Sequence, residues 1–458
     1  MTSSLLLSVF GFAMVATFMT LIMTRRLSPL VALIVIPIFF GLLAGFGAGL
    51  GPMMLDGIKN IAPTAVMLMF AILYFGLMID AGLFDPVVGL LLRLVRGDPV
   101  RIIVGTVVLA TFVSLDGDGS TTYMITAAAL LPLYKRMGLN PLIMACLIML
   151  SSGLMNITPW GGPTARAASA LQLEPADVFL PLVPAMVICF AWLLVLAFAY
   201  GRFERRRLGV LVLGADPVIY QPALVGDAGV DEMVSVDGGA FTVSADPEAR
   251  RPRLVWFNAA LTVALIVLLV LGVLPLPALF MGAFCIAAMV NYPSLEAQKV
   301  RVAAHSANIL AVVSLIFAAG IFTGILNGTG MVEAMSRNLL AVIPPQLGPY
   351  LAPITGLISL PMTFFISNDA FYFGMLPILA ETASHYGVSP QAIASASLVG
   401  QPLHLLSPLV PSTYLLANLA GVEFAEHQKF TARWAIATSL VLLVAGLAVG
   451  AFPLLAAT

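Results

Sequence analysis

The chain has 458 residues, of which 60% are hydrophobic and only 9% are charged. A soluble domain carries about 25% charged residues, so this composition excludes a water-soluble globular fold. The net charge of −1 excludes the overall basic character that nucleic-acid binding uses. We therefore predict an all-α polytopic protein embedded in the lipid bilayer, with no nucleic-acid partner.

Apolar runs long enough to cross a membrane occur along the whole chain. About 20 mostly apolar residues cross the roughly 30 Å hydrocarbon core of a bilayer. Runs of this kind cover residues 5–24, 29–50, 61–79, 179–200, 254–273, 308–325 and 434–455. The shorter run 275–290 can also cross if its flanking residues adjust. We predict spans at all eight, in a multi-pass protein of the plasma (inner) membrane.

A polar interruption follows the third of these runs. Residues 101–113 give about 20 Å of helix, and the return limb, 123–134, is equally short. Between them lies the polar segment 114–122. Since neither limb is long enough to cross the membrane, we predict a re-entrant hairpin over residues 101–136.

The next run, residues 141–171, is too long for one straight helix and is interrupted at 156–164 by Asn, Thr, Pro and Gly. Irregular backbone at membrane depth is tolerated only where it is buried in protein or lines a cavity. We therefore predict a broken helix over 141–171, with the break beside a cavity.

The same pair of features recurs near the end of the chain. Residues 349–386 predict a second hairpin and residues 390–420 a second broken helix. A shift of 249 positions places Gly138 on Gly387 and Pro141 on Pro390. The chain is therefore predicted to be a duplication.

The basic residues predict the orientation, because cytoplasmic flanks are enriched in Lys and Arg. An outer N-terminus places 18 of the 21 Lys and Arg on the inner side. Both termini are then outside, and residues 201–253 form a cytoplasmic linker. Residues 1–200 and 254–458 become two repeats of inverted topology, each with five spans and one hairpin.

Inverted repeats with discontinuous helices are typical of secondary transporters, whose sites lie near the membrane midplane. We expect the two hairpin tips and the two helix breaks to converge into an oxygen-rich site. Its predicted substrate-binding residues are Ser120, Thr121, Asn156, Thr158, Gly161, Gly162, Thr164, Arg166, Ser367, Asn368, Ser412 and Thr413.

Ionisable residues inside a membrane are costly and usually functional. Asp116, Asp118 and Asp369 are predicted to bind a metal ion or a proton, and they can also cap the hairpin helices. Two roles stay open for Arg166: binding a substrate carboxylate or pairing with a hairpin aspartate. His404 is either a proton-responsive group or a packed, hydrogen-bonded histidine.

Three of these segments carry a resemblance to a known family. Residues 114–122, 156–164 and 366–369 resemble the citrate, divalent metal and proton symporter family (CitMHS) of the ion transporter superfamily. The resemblance implies uptake of a metal–citrate complex with protons. It also implies a scaffold domain, a moving elevator-type transport domain and a homodimer.

Complexation has a physical rationale, since a bound Mg²⁺ or Ca²⁺ offsets two charges of citrate before the anion is desolvated. The divalent ion is thus predicted as part of the substrate, with no permanently bound cofactor.

Sodium-coupled relatives carry Ser-Asn-Thr at the hairpin tips, whereas the second tip here reads Ser367-Asn368-Asp369. The alternative is a proton- or sodium-coupled carrier of a free di- or tricarboxylate or another organic anion.

Two other classes fit less well. A membrane-embedded enzyme is disfavoured because the sequence has no nucleophile–base motif, and its three cysteines and four histidines lack metal-ligand spacing. A passive channel is disfavoured because two inverted hairpins favour alternating access. We predict that the chain is not an enzyme.

Overall fold

The computed structural model describes residues 4–95, 98–117, 119–208 and 247–456. Within these ranges every regular element is helical, which confirms the predicted all-α class. Asp118 lies outside the described residues, and so does the predicted linker 201–253 except for its two ends. The roles predicted for them stay predictions.

Ten α-helices lie in the described residues up to 208, and the last of them continues eight residues into the predicted linker. They are α1 Ser4–Met23, α2 Pro29–Leu43, α3 Leu50–Asp80, α4 Asp85–Val95, α5 Pro99–Val113, α6 Gly119–Met137, α7 Pro141–Met155, α8 Gly162–Leu171, α9 Pro175–Phe179 and α10 Val183–Leu208.

Ten more follow it, with a π-helical turn at Ala370–Met375 before α16. They are α11 Val255–Val270, α12 Leu276–Asn291, α13 Leu295–Gly328, α14 Met331–Val342, α15 Leu351–Phe365, α16 Leu376–Ser384, α17 Pro390–Ser397, α18 Gln401–His404, α19 Pro411–Ala420 and α20 Phe424–Ala448.

Seven helical segments of the described chain are long and apolar enough to cross a membrane. They are Ser4–Ile22, Leu50–Asp80, Pro99–Asp116, Pro175–Leu208, Pro252–Val270, Leu295–Gly328 and Phe424–Ala448. Helix α2 is shorter than the predicted run 29–50. It ends because Gly45 adopts a left-handed φ of +86° and the Phe46 N–H donates to the Gly41 carbonyl, which closes the helix with a glycine cap.

The two helices of the first predicted hairpin, α5 and α6, are longer than the limbs predicted from the sequence. Helix α5 begins at Pro99, where the Asp98 carboxylate accepts from the Val100 N–H at 3.0 Å. Helix α6 has 19 residues because its first polar residues are helical; the Thr122 hydroxyl lies 2.8 Å from that of Ser114. The predicted limbs 101–113 and 123–134 are thus too short, since hydroxyl groups can be satisfied inside a helical turn. That these two helices enter the membrane without crossing it stays a prediction.

The two predicted tip-and-break regions contain the same order of elements. In the first, α5 and α6 flank a tip, and α7 and α8 flank the break at 156–161. In the second, α15 and the π-helical turn flank the tip at 366–369, and α18 and α19 flank the break at 405–410.

Two groups of helices position these irregular segments. In the first group α3 packs against α12 and α13, and α13 also packs against α2. The α3–α13 contact is close, since a Cβ added to Gly57 would overlap the Gly320 carbonyl oxygen. Small residues allow such backbone contacts between membrane helices.

The second group is built around α7, which is buried from Leu142 to Leu154. Helix α7 contacts α5, α6, α10, α18, α19 and α20. The tips and breaks of both halves belong to this second group, and they face α3 and α13 of the first.

Candidate functional site

A cavity of about 160 Å³ lies where the two tips and the two breaks meet. The tips contribute Asp116, Gly117, Gly119, Ser120, Ser367, Asn368 and Asp369. The helices and breaks beside them contribute Ser152, Asn156, Trp160, Gly162, Pro163, Ala165, Arg166, His404, Leu405, Leu409, Val410, Pro411 and Ser412. Helices α3 and α13 contribute the apolar side chains Leu68, Ile72, Val312, Leu315 and Ile316. One wall is therefore polar and the opposite wall is apolar.

Most of the predicted site residues line this cavity. The lining includes Asp116, Ser120, Asn156, Gly162, Arg166, Ser367, Asn368, Asp369, His404 and Ser412. Five others lie outside the lining: Thr121, Thr158, Gly161, Thr164 and Thr413.

A charge contact in the cavity joins the two halves of the chain. Arg166 Nε, near the start of α8, donates to Asp369 Oδ1 of the second tip at 2.5 Å. The two side chains are 12% and 4% exposed. A Cβ added to Gly162 would lie 2.6 Å from Arg166 Nη1, so a glycine at this position leaves room for the guanidinium. Of the two roles left open for Arg166, pairing with a hairpin aspartate is present.

His404 connects the second break to the end of α15. Its Nδ1 lies 2.5 Å from the Thr363 carbonyl oxygen, and the side chain is buried. Because a carbonyl can only accept, Nδ1 carries a hydrogen. In the neutral ring Nε2 is then an acceptor, which leaves one nitrogen able to take up a proton.

Each break is closed by a threonine from the helix that follows it. The Thr164 hydroxyl donates to the Ile157 carbonyl at 2.7 Å, and the Thr413 hydroxyl donates to the Leu405 carbonyl. These bonds satisfy carbonyls that the broken helices leave without a helical partner. The two threonines correspond under the 249-residue shift. They therefore stabilise the backbone of the two breaks that line the cavity.

In each half, the backbone at or just before the tip is also bonded to the break. Trp160 Nε1 donates to the Leu115 carbonyl at 2.8 Å, and the Ser407 hydroxyl donates to the Phe364 carbonyl at 2.6 Å. Leu115 and Phe364 correspond under the same shift. Tip and break in each half are thus held together as one unit.

Trp160 also closes the cavity toward the first group of helices. Its ring centroid lies 5.3 Å from that of Phe75 on α3 and 5.2 Å from that of Phe280 on α12. Aromatic pairs at this separation contribute about 0.5–1.5 kcal/mol beyond the area they bury. The cavity therefore lies between the two groups of helices and is sealed partly by aromatic packing.

Two cavity-region residues were missed by the sequence analysis. Ser152 lines the cavity, and Gln401 bonds to the lining residue Asn368. Under the 249-residue shift Ser152 corresponds to Gln401. Both are uncharged polar residues in apolar runs, and this placement is the signal that would have identified them.

A second buried charge cluster lies between α3 and α13, outside the cavity lining. Asp80 Oδ2 is 3.3 Å from Arg301 Nη1 and 3.0 Å from His305 Nε2. Their side chains are between 1% and 9% exposed. Arg301 is one of the 18 basic residues that the predicted orientation places on the inner side, and it lies within α13, which begins at Leu295. Within the described ranges no group of three or more His, Cys, Asp or Glu side chains is placed to hold a metal ion.

Comparison with known proteins gives consistent results. The profile of the citrate transporter (CitMHS) family matches residues 8–400. A citrate transporter of Bacillus subtilis (strain 168) is 54% identical, over 97% of this chain and 99% of the relative. The Mg(2+)/citrate complex secondary transporter of the same organism is 50% identical over the same shares of both chains.

A third relative and one solved structure extend the comparison. The uncharacterized transporter YraO of Bacillus subtilis (strain 168) is 47% identical over 98% of this chain and all of its own. The crystal structure of the Alcanivorax borkumensis YdaH transporter superposes with a TM-score of 0.58, over 87% of this chain and 89% of that one. At 14% sequence identity this likeness shows a shared fold alone.

Proposed function

The chain belongs to the CitMHS family of citrate transporters, and from that premise we propose that it imports citrate complexed with a divalent metal ion, together with protons. Its family and its named relatives are transporters rather than enzymes. The observation that carries the proposal is the cavity in which Arg166 of the first half meets Asp369 of the second. The relative named for a Mg(2+)/citrate complex supports a divalent ion as part of the substrate.

The charges in the cavity suit a complex better than free citrate. Citrate bound to Mg²⁺ or Ca²⁺ carries one net negative charge instead of three, so its desolvation costs less. The Arg166–Asp369 pair is neutral as a unit, and the Asp116 carboxyl group lines the same cavity, so the cavity has no excess of positive charge for a trivalent anion. Ser120, Asn156 and Ser412, which also line the cavity, would bond to carboxylate oxygens or to the other ligands of the metal.

The same pair offers a route for proton coupling. While Asp369 is ionised, it holds Arg166 at 2.5 Å. Protonation of Asp369 would weaken its pairing with Arg166, and a substrate carboxylate would then compete for the guanidinium. Proton and anion would enter together because each favours the binding of the other. Asp116 and His404 line the same cavity and are further candidates for the proton.

Alternating access follows from the two groups of helices. The group containing α3 and α13 would be the scaffold, and the group around α7 would move as the transport domain. The cavity at their boundary and the repeated order of tip and break support a duplicated chain that works by an elevator-type motion. The homodimer is proposed from membership of the family alone. The basic residues support outer termini and a cytoplasmic linker at 201–253 in the plasma membrane.

Uptake of labelled citrate into proteoliposomes tests this proposal, with divalent ion and pH gradient varied independently. Uptake is expected to require Mg²⁺ or Ca²⁺, to stop when a chelator is added, and to rise when the outside is acidic. Uptake that persists with chelator would instead indicate a carrier of the free carboxylate. Uptake indifferent to both the divalent ion and the pH gradient would overturn the mechanism.

A further inference from the structure

We propose that Gln401 is a positioning residue that fixes the side-chain amide of Asn368 with its NH₂ group toward the cavity. Asn368 then presents hydrogen-bond donors, rather than an acceptor, to an anionic oxygen of the substrate. The inference rests on the proposed function, because it takes the cavity as the substrate site.

The direction of the hydrogen bonds is set by a backbone carbonyl. The Tyr372 hydroxyl donates to the Ser397 carbonyl oxygen at 3.4 Å, and a carbonyl has no hydrogen to give in return. Since Tyr372 has one hydroxyl hydrogen, its oxygen can only accept at its other contact. That contact is Gln401 Nε2 at 2.8 Å, so the NH₂ group of Gln401 must face Tyr372.

The same NH₂ group fixes the next amide. Gln401 Nε2 also donates to Asn368 Oδ1 at 3.3 Å. An amide NH₂ cannot accept, so the atom that Asn368 turns toward Gln401 is its oxygen. The Asn368 nitrogen, with two hydrogens to donate, is the other terminal atom of the planar amide and points away from this contact.

The group lies at the buried edge of the cavity. Gln401 and Tyr372 have no exposed surface, while Asn368 is partly exposed and lines the cavity between Ser367 and Asp369. Gln401 Oε1 has no hydrogen-bond partner in the described part of the chain, which costs some free energy. The orientation therefore depends on the two bonds that Nε2 donates, to Tyr372 and to Asn368.

The chemistry of the substrate explains why the orientation matters. A metal–citrate complex presents carboxylate oxygens, which accept hydrogen bonds. An Asn368 NH₂ group facing the cavity attracts them, whereas its oxygen would repel them. Gln401 does not line the cavity, so its effect on substrate must pass through Asn368.

Gln401→Glu and Gln401→Met test the inference in citrate uptake assays with Mg²⁺ present. A glutamate carboxylate only accepts, so Asn368 must turn its oxygen toward the cavity, and KM for citrate should rise roughly tenfold or more. Methionine removes the donor without imposing the reverse orientation, so its KM should rise less. Gln298→Glu is the matched control, since Gln298 on α13 bonds to the Tyr292 carbonyl outside the cavity; its KM should not change.

A double-mutant cycle separates positioning from a structural role. In an Asn368→Ala background, Gln401→Met should change KM by less than about twofold, because the residue through which it acts is gone. Tyr372→Phe tests the first bond of the series and should raise KM modestly even if the Gln401→Glu protein does not fold. An equal KM increase from Gln401→Met with and without Asn368 would overturn the inference.

The two proposals fail in different ways. Normal wild-type uptake of citrate, with unchanged KM in both Gln401 variants and in Tyr372→Phe, would overturn this inference alone. A wild-type protein without citrate uptake would overturn the proposed function and this inference with it.

Discussion

In the described part of the chain, Asp369 and Asp80 are buried aspartates that each pair with an arginine, and their surroundings differ. Asp369 pairs with Arg166 where a hairpin tip of one half meets a helix break of the other, beside the cavity. Asp80 pairs with Arg301 and His305 between α3 and α13, outside the cavity lining. The extent of burial does not distinguish the two aspartates, since both side chains are less than 5% exposed. What differs is the backbone that carries each pair and its access to the cavity.

The backbones suggest opposite roles for the two clusters. Arg301 and His305 lie four residues apart on one continuous helix, so they share a face, and a Cβ added to Gly76 would lie 2.6 Å from the His305 ring. That cluster is tightly enclosed. Arg166 and Asp369 lie on separate elements beside irregular backbone, where a partner can be exchanged. We infer that the Asp80–Arg301–His305 cluster stabilises helix packing and that the Arg166–Asp369 pair takes part in transport.

The largest effect is expected at Arg166. Arg166→Gln leaves the Asp369 carboxylate without its guanidinium, and breaking a buried ion pair costs about 3–5 kcal/mol. Citrate uptake should fall at least about a hundredfold.

Charge balance provides the control for this variant. Arg166→Gln combined with Asp369→Asn removes both charges, so this double variant should fold and still fail to transport citrate. Recovery of uptake in the double variant would show that the pair is only structural.

Asp80→Asn should change stability rather than substrate affinity. It removes the charged acceptor shared by Arg301 and His305, and the free energy of unfolding should fall by about 3–5 kcal/mol. Thermal unfolding in detergent measures this loss, and KM for citrate should stay at the wild-type value. Asp56→Asn is the matched control because the Asp56 side chain is 69% exposed. A raised KM with unchanged stability would place the Asp80 cluster in the transport mechanism.

A smaller effect is expected at the bond between the first tip and its break. Trp160→Phe removes the donor to the Leu115 carbonyl but keeps an aromatic ring against Phe75 and Phe280. The loss of one hydrogen bond costs about 1 kcal/mol, so kcat/KM for citrate uptake should fall about fivefold. Trp256→Phe, at a side chain that is 81% exposed, should have no effect. Equal effects at the two tryptophans would argue against a specific role for this bond.

The smallest effect is expected at an exposed pair on α14. Glu333 and Arg337 lie 2.8 Å apart, with side chains more than half exposed, and such pairs contribute less than about 1 kcal/mol. Glu333→Gln should leave both uptake and thermal stability unchanged. A strong loss of uptake would mean that α14 takes part in transport through this pair.

The sequence predicted the polar cavity better than the charge cluster between α3 and α13. Asn156 and Asn368 could be predicted because Gly, Pro and polar residues within long apolar runs belong at helix breaks. Thr164 and Thr413 were predicted to bind substrate, but their hydroxyls bond to carbonyls that the breaks leave open. A hydroxyl has both uses, and sequence alone does not distinguish them.

Tertiary contacts explain what could not be predicted. Asp80 and Arg301 are 221 residues apart, so local sequence does not reveal that they pair. Arg301 was counted only as one of the basic residues on the inner side, and Asp80 was given no role. Gln401 carries no charge, and its importance depends on Tyr372 and Ser397 reaching the same place. The inverted orientation of the repeats and the homodimer stay predictions.

Equilibrium binding of labelled citrate to the purified protein tests the central claim most directly. It should be measured with and without Mg²⁺, in the wild type and in the Arg166→Gln, Asp369→Asn double variant. The account predicts saturable binding that requires Mg²⁺ in the wild type and is lost in the double variant. Binding indifferent to Mg²⁺, or equally strong in the double variant, would contradict it.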